Sequence, residues 1–90
     1  MLAPEAVQDL KHLKAHDRAE VRDAIEVQLR HQPNKTSKSR GKRLRGISRP
    51  QYRLRVGEIR IYYDVTKNAV EILAIVAKSA AAEWLEKAGE

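Results

Sequence analysis

The chain has 90 residues, 42% of them hydrophobic, which supports one modest core and a single domain spanning residues 1–90. It has no cysteine, so disulfides, thiolate metal sites and a cysteine nucleophile are excluded together, and a cytoplasmic setting is expected. No apolar run approaches the ~20 residues that cross a bilayer. The opening MLAPEAVQDLK also lacks the basic start and apolar stretch of a signal peptide.

Residues 4–15 read as a first helix. Pro4 suits the first helical position, Glu5 and Asp9 suit its positive end, and Val7, Leu10, Leu13 and Lys14 form a stripe. Asp17 is placed to cap a second helix, with Glu20 completing a capping box, and Val21, Ile25, Gln28 and Leu29 give its apolar stripe. Gln32-Pro33 ends it, because the residue before proline leaves the α region. The two form an antiparallel helical hairpin. Residues 33–42 are polar, basic and aperiodic, and read as a loop.

Strands follow. In residues 51–56, Tyr52, Leu54 and Val56 alternate with Arg53 and Arg55. In residues 59–65, Ile59, Ile61, Tyr63 and Val65 alternate with Arg60, Tyr62 and Asp64. Period-two alternation of β-branched and aromatic residues marks half-buried strands. Gly57-Glu58 between them predicts a tight hairpin with glycine first. Residues 69–77, AVEILAIVA, are apolar on both faces, as in a central strand. Ser79 is placed to cap a last helix over residues 80–87, which Trp84 would anchor to the sheet. The predicted order is ααβββα.

The net charge of +6 is segregated. Residues 30–60 hold eleven Lys and Arg against one acid, Glu58, while the rest of the chain is net negative. Such a block implies one surface for a polyanion, either nucleic acid or an acidic protein partner. The hairpin gathers Arg53, Arg55 and Arg60 on one face. A guanidinium offers a planar fork that matches phosphate and stays charged at any working pH. The plain alternative is solvent-facing strand positions that protect an edge. Lys42, Arg43 and Arg45 precede the first of these strands and are candidates to hold a nucleic-acid backbone, with a solubilising loop as the alternative. Tyr62 shares the arginine face and can stack on a base or donate a proton. Tyr52 and Tyr63 face the core. His12, His16 and His31 show no metal-ligand spacing and read as surface residues, so neither metal nor cofactor is expected.

LRG, then YRLRVGEIRIYYDV, then VEILAIVAK resembles the RelE/ParE toxin superfamily of bacterial toxin–antitoxin systems, and LAPEAVQDLKHL resembles its first helix. The resemblance covers roughly residues 2–85. It implies an α+β fold in which an N-terminal helical hairpin packs on a small twisted antiparallel sheet, with a short C-terminal helix, similar to microbial ribonucleases. RelE-like members are ribosome-dependent endoribonucleases that cut mRNA. ParE-like members poison DNA gyrase and lack the nuclease residues. Both are neutralised by a cognate antitoxin, RelB-like in the first case, and reach operator DNA through that complex. Carried over residue by residue, the phosphate-binding positions fall on Arg53, Arg55 and Arg60. The further arginine after the last strand is replaced by Ala77-Lys78-Ser79, leaving Lys78 as its stand-in beside Tyr62. The usual C-terminal Tyr or His is absent from residues 82–85. Only Met1, Leu2 and Ala3 precede the first helix, where family members carry a strand. Either that strand is vestigial or the chain starts late, and an exposed sheet edge is expected. The resemblance therefore implies an mRNA-cleaving toxin, with a gyrase inhibitor or a catalytically decayed toxin as alternatives.

Overall fold

The computed structural model describes residues 2–29, 41–44, 46, 49–66 and 69–89. Two helices open the chain, α1 (Pro4–His12) and α2 (Ala15–Ala24), and α2 runs on into a π-helical turn, Ile25–Leu29. Four strands follow: β1 (Gly41–Arg43), β2 (Tyr52–Val56), β3 (Ile59–Val65) and β4 (Val70–Ala77). A last helix, α3 (Lys78–Ala88), closes the chain. The strands form one antiparallel sheet in the order β1-β2-β3-β4. This is the expected α+β arrangement. It has one more strand than the sequence suggested, because Gly41–Arg43 is too short and polar to show an alternation.

Alternation decides which side of the sheet is core. Tyr52, Leu54, Ile59, Ile61, Tyr63, Ile72 and Ile75 meet Ala6 and Leu10 of α1, Val21 and Ala24 of α2, and Leu29. Full burial of a side chain such as Ile61 or Ile72 stabilises the fold by about 1.5–3 kcal/mol. The Tyr52 and Tyr63 rings stack across the β2–β3 pair with centroids 5.3 Å apart, so both tyrosines pack as expected. The hairpin turn also holds: Gly57 has φ +57°, which glycine adopts without strain.

The helix ends differ from the reading by caps. The first helix stops at His12 instead of residue 15. α2 begins at Ala15, so Asp17 lies inside its first turn and no side chain caps the N-terminus. Glu20 pairs with His16 at 3.1 Å instead of closing a capping box. The turn is held by Arg18, which donates to the carbonyls of Leu10, Lys11 and Leu13. It thereby satisfies the carbonyl end of α1 with a cation, where the helix dipole favours one. The predicted end of α2 at Gln32-Pro33 lies outside the described residues, as do the predicted loop up to residue 40 and His31.

β4 is last in the sheet order, and its two apolar faces have a different cause from the central position expected. α1 covers one face and α3 the other. Its outer edge is partly occupied. Leu2 forms a parallel bridge to Ile72, the Ala3 N–H donates to the Ile72 carbonyl at 2.8 Å, and Asp9 Oδ2 accepts from the Ile75 N–H at 3.0 Å. α3 starts at Lys78, directly after β4, so Ser79 is helical and no side chain caps the start. The Lys78 N–H is taken instead by the Glu58 carbonyl of the hairpin turn, at 2.7 Å. No described helix is long and apolar enough to cross a membrane.

Candidate nucleic-acid interface

The register of the hairpin builds the site. Arg53 pairs with Tyr62 and Arg55 with Arg60. Side chains of residues paired across an antiparallel sheet project to the same side. The four therefore share the face turned away from the tyrosine and isoleucine core, as the alternation suggested. β1 puts Lys42 in register with Arg53. Arg43 pairs with Tyr52, and its guanidinium lies 5.1 Å from the Tyr52 ring centroid. Arg43 is thus drawn to the other face by period-two alternation and a cation–π contact. Arg45 and the side chain of Lys42 lie outside the described residues.

The three arginines are held differently. Arg55 is exposed. Arg53 is half-buried, and its Nε is buried with no hydrogen-bond partner among the described residues. Arg60 is only 7% exposed, and its Nη1 donates to the carbonyls of Gly57 at 3.0 Å and Ile59 at 3.2 Å. Those carbonyls fix the guanidinium without neutralising it. Among the described residues none of the three is paired with a carboxylate. They form a concentrated positive field over one end of the sheet. Lys78 is exposed at the start of α3, beside the same hairpin turn.

Tyr62 is placed with the arginines yet is 1% exposed. The Trp84 indole of α3 covers it, with ring centroids 4.8 Å apart and planes 13° from parallel. Burial pushes the Tyr62 hydroxyl above its usual range, and the nearby Arg53 and Arg60 charges partly oppose that. A protonated hydroxyl can donate a proton but is a poor base. Trp84 anchors α3 as expected. That its partner is Tyr62 was not read from the sequence, and the only signal was the small Ala74, fully buried in register with Tyr62.

The opposite end of the same face holds a cluster missed in the sequence. Arg49 binds Asp64 Oδ2 at 3.3 Å and Glu71 Oε1 at 2.8 Å. Asp64 Oδ1 also accepts from the Gln51 N–H at 2.7 Å, and Gln51 Oε1 accepts from the Val65 N–H at 3.0 Å. Arg49 sits outside any strand, so no periodicity pointed to it. Two further acids, Glu20 and Asp23, lie at the hairpin end instead, where they line a groove of about 270 Å³ between α2 and β2 together with Arg55 and Gly57.

The comparisons with known proteins agree with this architecture. No curated protein sequence matches the chain. Among solved structures, the RelB–RelE antitoxin–toxin complex from Methanococcus jannaschii matches with a TM-score of 0.72 and 24% identity, over 93% of this chain and 96% of that one. At that identity the match speaks for the fold. The family model described as the ParE toxin of type II toxin–antitoxin system, parDE, matches residues 1–81. Nine-tenths of the chain, including the whole arginine hairpin, therefore falls within that model, and the protein belongs to the ParE toxin family of type II toxin–antitoxin systems.

Proposed function

We propose that this toxin acts as an endoribonuclease on mRNA held in the ribosome and so stops translation. The observation that carries the reading is the gathering of Arg53, Arg55 and Arg60 on one face of the sheet with none of them in a described ion pair. In the reaction the RNA 2′-hydroxyl attacks the adjacent phosphorus and the 5′-oxygen leaves. The products are a 2′,3′-cyclic phosphate and a free 5′-hydroxyl. The nucleophile belongs to the substrate, so no metal-activated water is required. The arginines bind the scissile phosphate and stabilise the charge that builds on it. Arginine does not serve as a base, its pKa exceeding ~12. Tyr62 and Lys78 are the remaining groups able to move a proton. A site this poor in acid–base groups depends on positioning by a larger partner, which the ribosome supplies, so free RNA is cut poorly.

The family and the antitoxin-bound neighbour support a cognate, RelB-like antitoxin for this chain, acidic or amphipathic enough to cover the basic face. Operator DNA is then reached through the complex, and the setting is cytoplasmic. The test is induction without antitoxin, with mRNA ends mapped by codon. Discrete cuts in translated messages support the reading. Intact messages with accumulating gyrase–DNA cleavage complexes support the second one, a gyrase poison. The burial of Tyr62 beneath Trp84 favours that alternative, because it removes one of the two proton-handling groups from reach. Absence of growth arrest identifies a decayed toxin.

A further inference from the structure

The contact between Tyr62 and Trp84 has the geometry of a base stack. Two flat rings lie nearly parallel, 13° apart, at a centroid separation of 4.8 Å. The platform, Tyr62, is in register with Arg53 and next on its face of β3 after Arg60, and both guanidinium charges act on it. A nucleotide presents the same pair of features, a planar ring and a phosphate one sugar away. Arg53 Nε is buried here without a partner among the described residues. An unpaired buried donor is unfavourable, and a phosphate oxygen would satisfy it.

α3 is fastened lightly. Ala81 is its only described residue that is buried, while Trp84 and Leu85 are half-buried. No residue of α3 belongs to the main core, which lies on the other side of the sheet. Its start has no side-chain cap and is tied to the hairpin turn by one backbone bond, from the Lys78 N–H to the Glu58 carbonyl. Removing α3 from the sheet would therefore uncover Tyr62 and leave the packing of α1, α2 and the strands intact.

We propose that the Trp84 indole holds the place of a nucleobase on Tyr62, and that α3 is a latch a nucleotide of the substrate must displace to stack there, beside Arg53 and Arg60. The ligand class is a single-stranded nucleotide, with its base on Tyr62 and its phosphate on the guanidiniums. The inference rests on the RNA reading above, but its test is independent of cleavage. Base stacking on an aromatic side chain tolerates any base, so little sequence preference is expected at this position.

Trp84 is the only tryptophan of the chain, so its emission reports the latch directly. Titration of the whole protein with a short single-stranded RNA should shift that emission to longer wavelength and raise its quenching by acrylamide. Trp84→Ala should bind the same RNA about tenfold more tightly, in line with the worth of a base–aromatic stack. Trp84→Phe, which retains a stacking ring, should stay near the parent. Tyr62→Leu combined with Trp84→Ala should lose the gain. Amide exchange of β3 and β4 verifies that each variant is folded, and Trp84→Leu replaces Trp84→Ala if the latter is not. RNA binding that leaves the Trp84 emission unchanged overturns the proposal. So does a Trp84→Ala chain that binds RNA no better than the parent, or not at all. A gain in binding with no mRNA cleavage in cells upholds the latch and refutes the nuclease reading.

Discussion

One face of the sheet carries two arginine clusters with opposite surroundings. At the hairpin end, Arg53, Arg55 and Arg60 form no described ion pair, and among the described residues Arg60 is steered by the carbonyl oxygens of Gly57 and Ile59. At the other end, Arg49 is tied to both Asp64 and Glu71, and Asp64 is further held by the Gln51 N–H. β3 links the two along one side, from Arg60 through Tyr62 to Asp64. The charge of Arg49 is consumed within the fold, whereas the charge of the hairpin arginines remains available to a ligand. A buried cation normally requires a counter-charge. A chain that fixes Arg60 and withholds the carboxylate has a positive site prepared for something else to neutralise.

The largest effect that can break this contrast belongs to Arg60. Arg60→Ala should abolish growth arrest and, on the nuclease reading, lower cleavage by about 10²–10³-fold, the usual loss for one donor to a developing oxyanion. Arg60→Lys should recover only part of it, since an ammonium lacks the planar fork. Full arrest by the alanine variant would show that the free charge is incidental. Arg49→Ala should do the reverse. It removes two partly exposed pairs and leaves Asp64 with the Gln51 N–H as its described partner, at a cost of about 1 kcal/mol, or about 4–8 °C in Tm for a domain of this size. Toxicity should persist below the new melting temperature. If Arg49→Ala abolishes toxicity while the melting curve is unchanged, the two clusters are not distinct in role.

The sequence made the hairpin legible because its signals are local. Alternation in YRLRV and IRIYYDV decides which residues share a face, and Gly57 decides where the chain turns. The surroundings of those residues were not local. Arg60 is buried with its guanidinium on the carbonyls of Gly57 and Ile59, and Tyr62 is buried by a helix that begins sixteen residues later. Ser79 and Asp17 looked like caps since their residue types suit caps, but tertiary contacts place the helix starts. Glu58 takes the first N–H of α3, and Arg18 closes the end of α1. β4 looked central on its composition, while in fact two helices and Leu2 surround it. The Arg49 cluster depends on pairing Asp64 with Glu71 across strands, which no single segment displays.

Arg55 offers a smaller test of the same contrast. It is the exposed member of the free cluster, so it should act as a plain phosphate contact. Arg55→Ala should reduce the slope of log affinity against log salt for single-stranded RNA by about 0.7, the amount expected for one lost phosphate contact on a single strand. Between 50 and 200 mM salt that is roughly a threefold change. Arg49→Ala should leave the slope unaltered, because its charge is already neutralised in the fold. Equal slopes for Arg55→Ala and the parent would remove Arg55 from the interface.

The smallest effect lies on the core side of the same strand and appears only in alkali. Burial pushes the Tyr63 hydroxyl up to about 12, and its neighbour Tyr52 adds to the rise. Tyr62 is shifted in the same direction, but the Arg53 and Arg60 charges hold it back. A raised pKa means the folded chain binds the proton more tightly than the unfolded chain, whose tyrosines titrate near ~10. The stabilisation is complete below that value and is lost as the pH climbs through about 12. Denaturant midpoints should therefore be level around neutrality and fall between those two pH values. Tyr63→Phe should flatten most of that fall, while Tyr62→Phe should flatten less of it. Should Tyr62→Phe remove the larger share, the free arginine cluster does not reach the Tyr62 hydroxyl, and the electrostatic contrast between the two faces of β3 is lost.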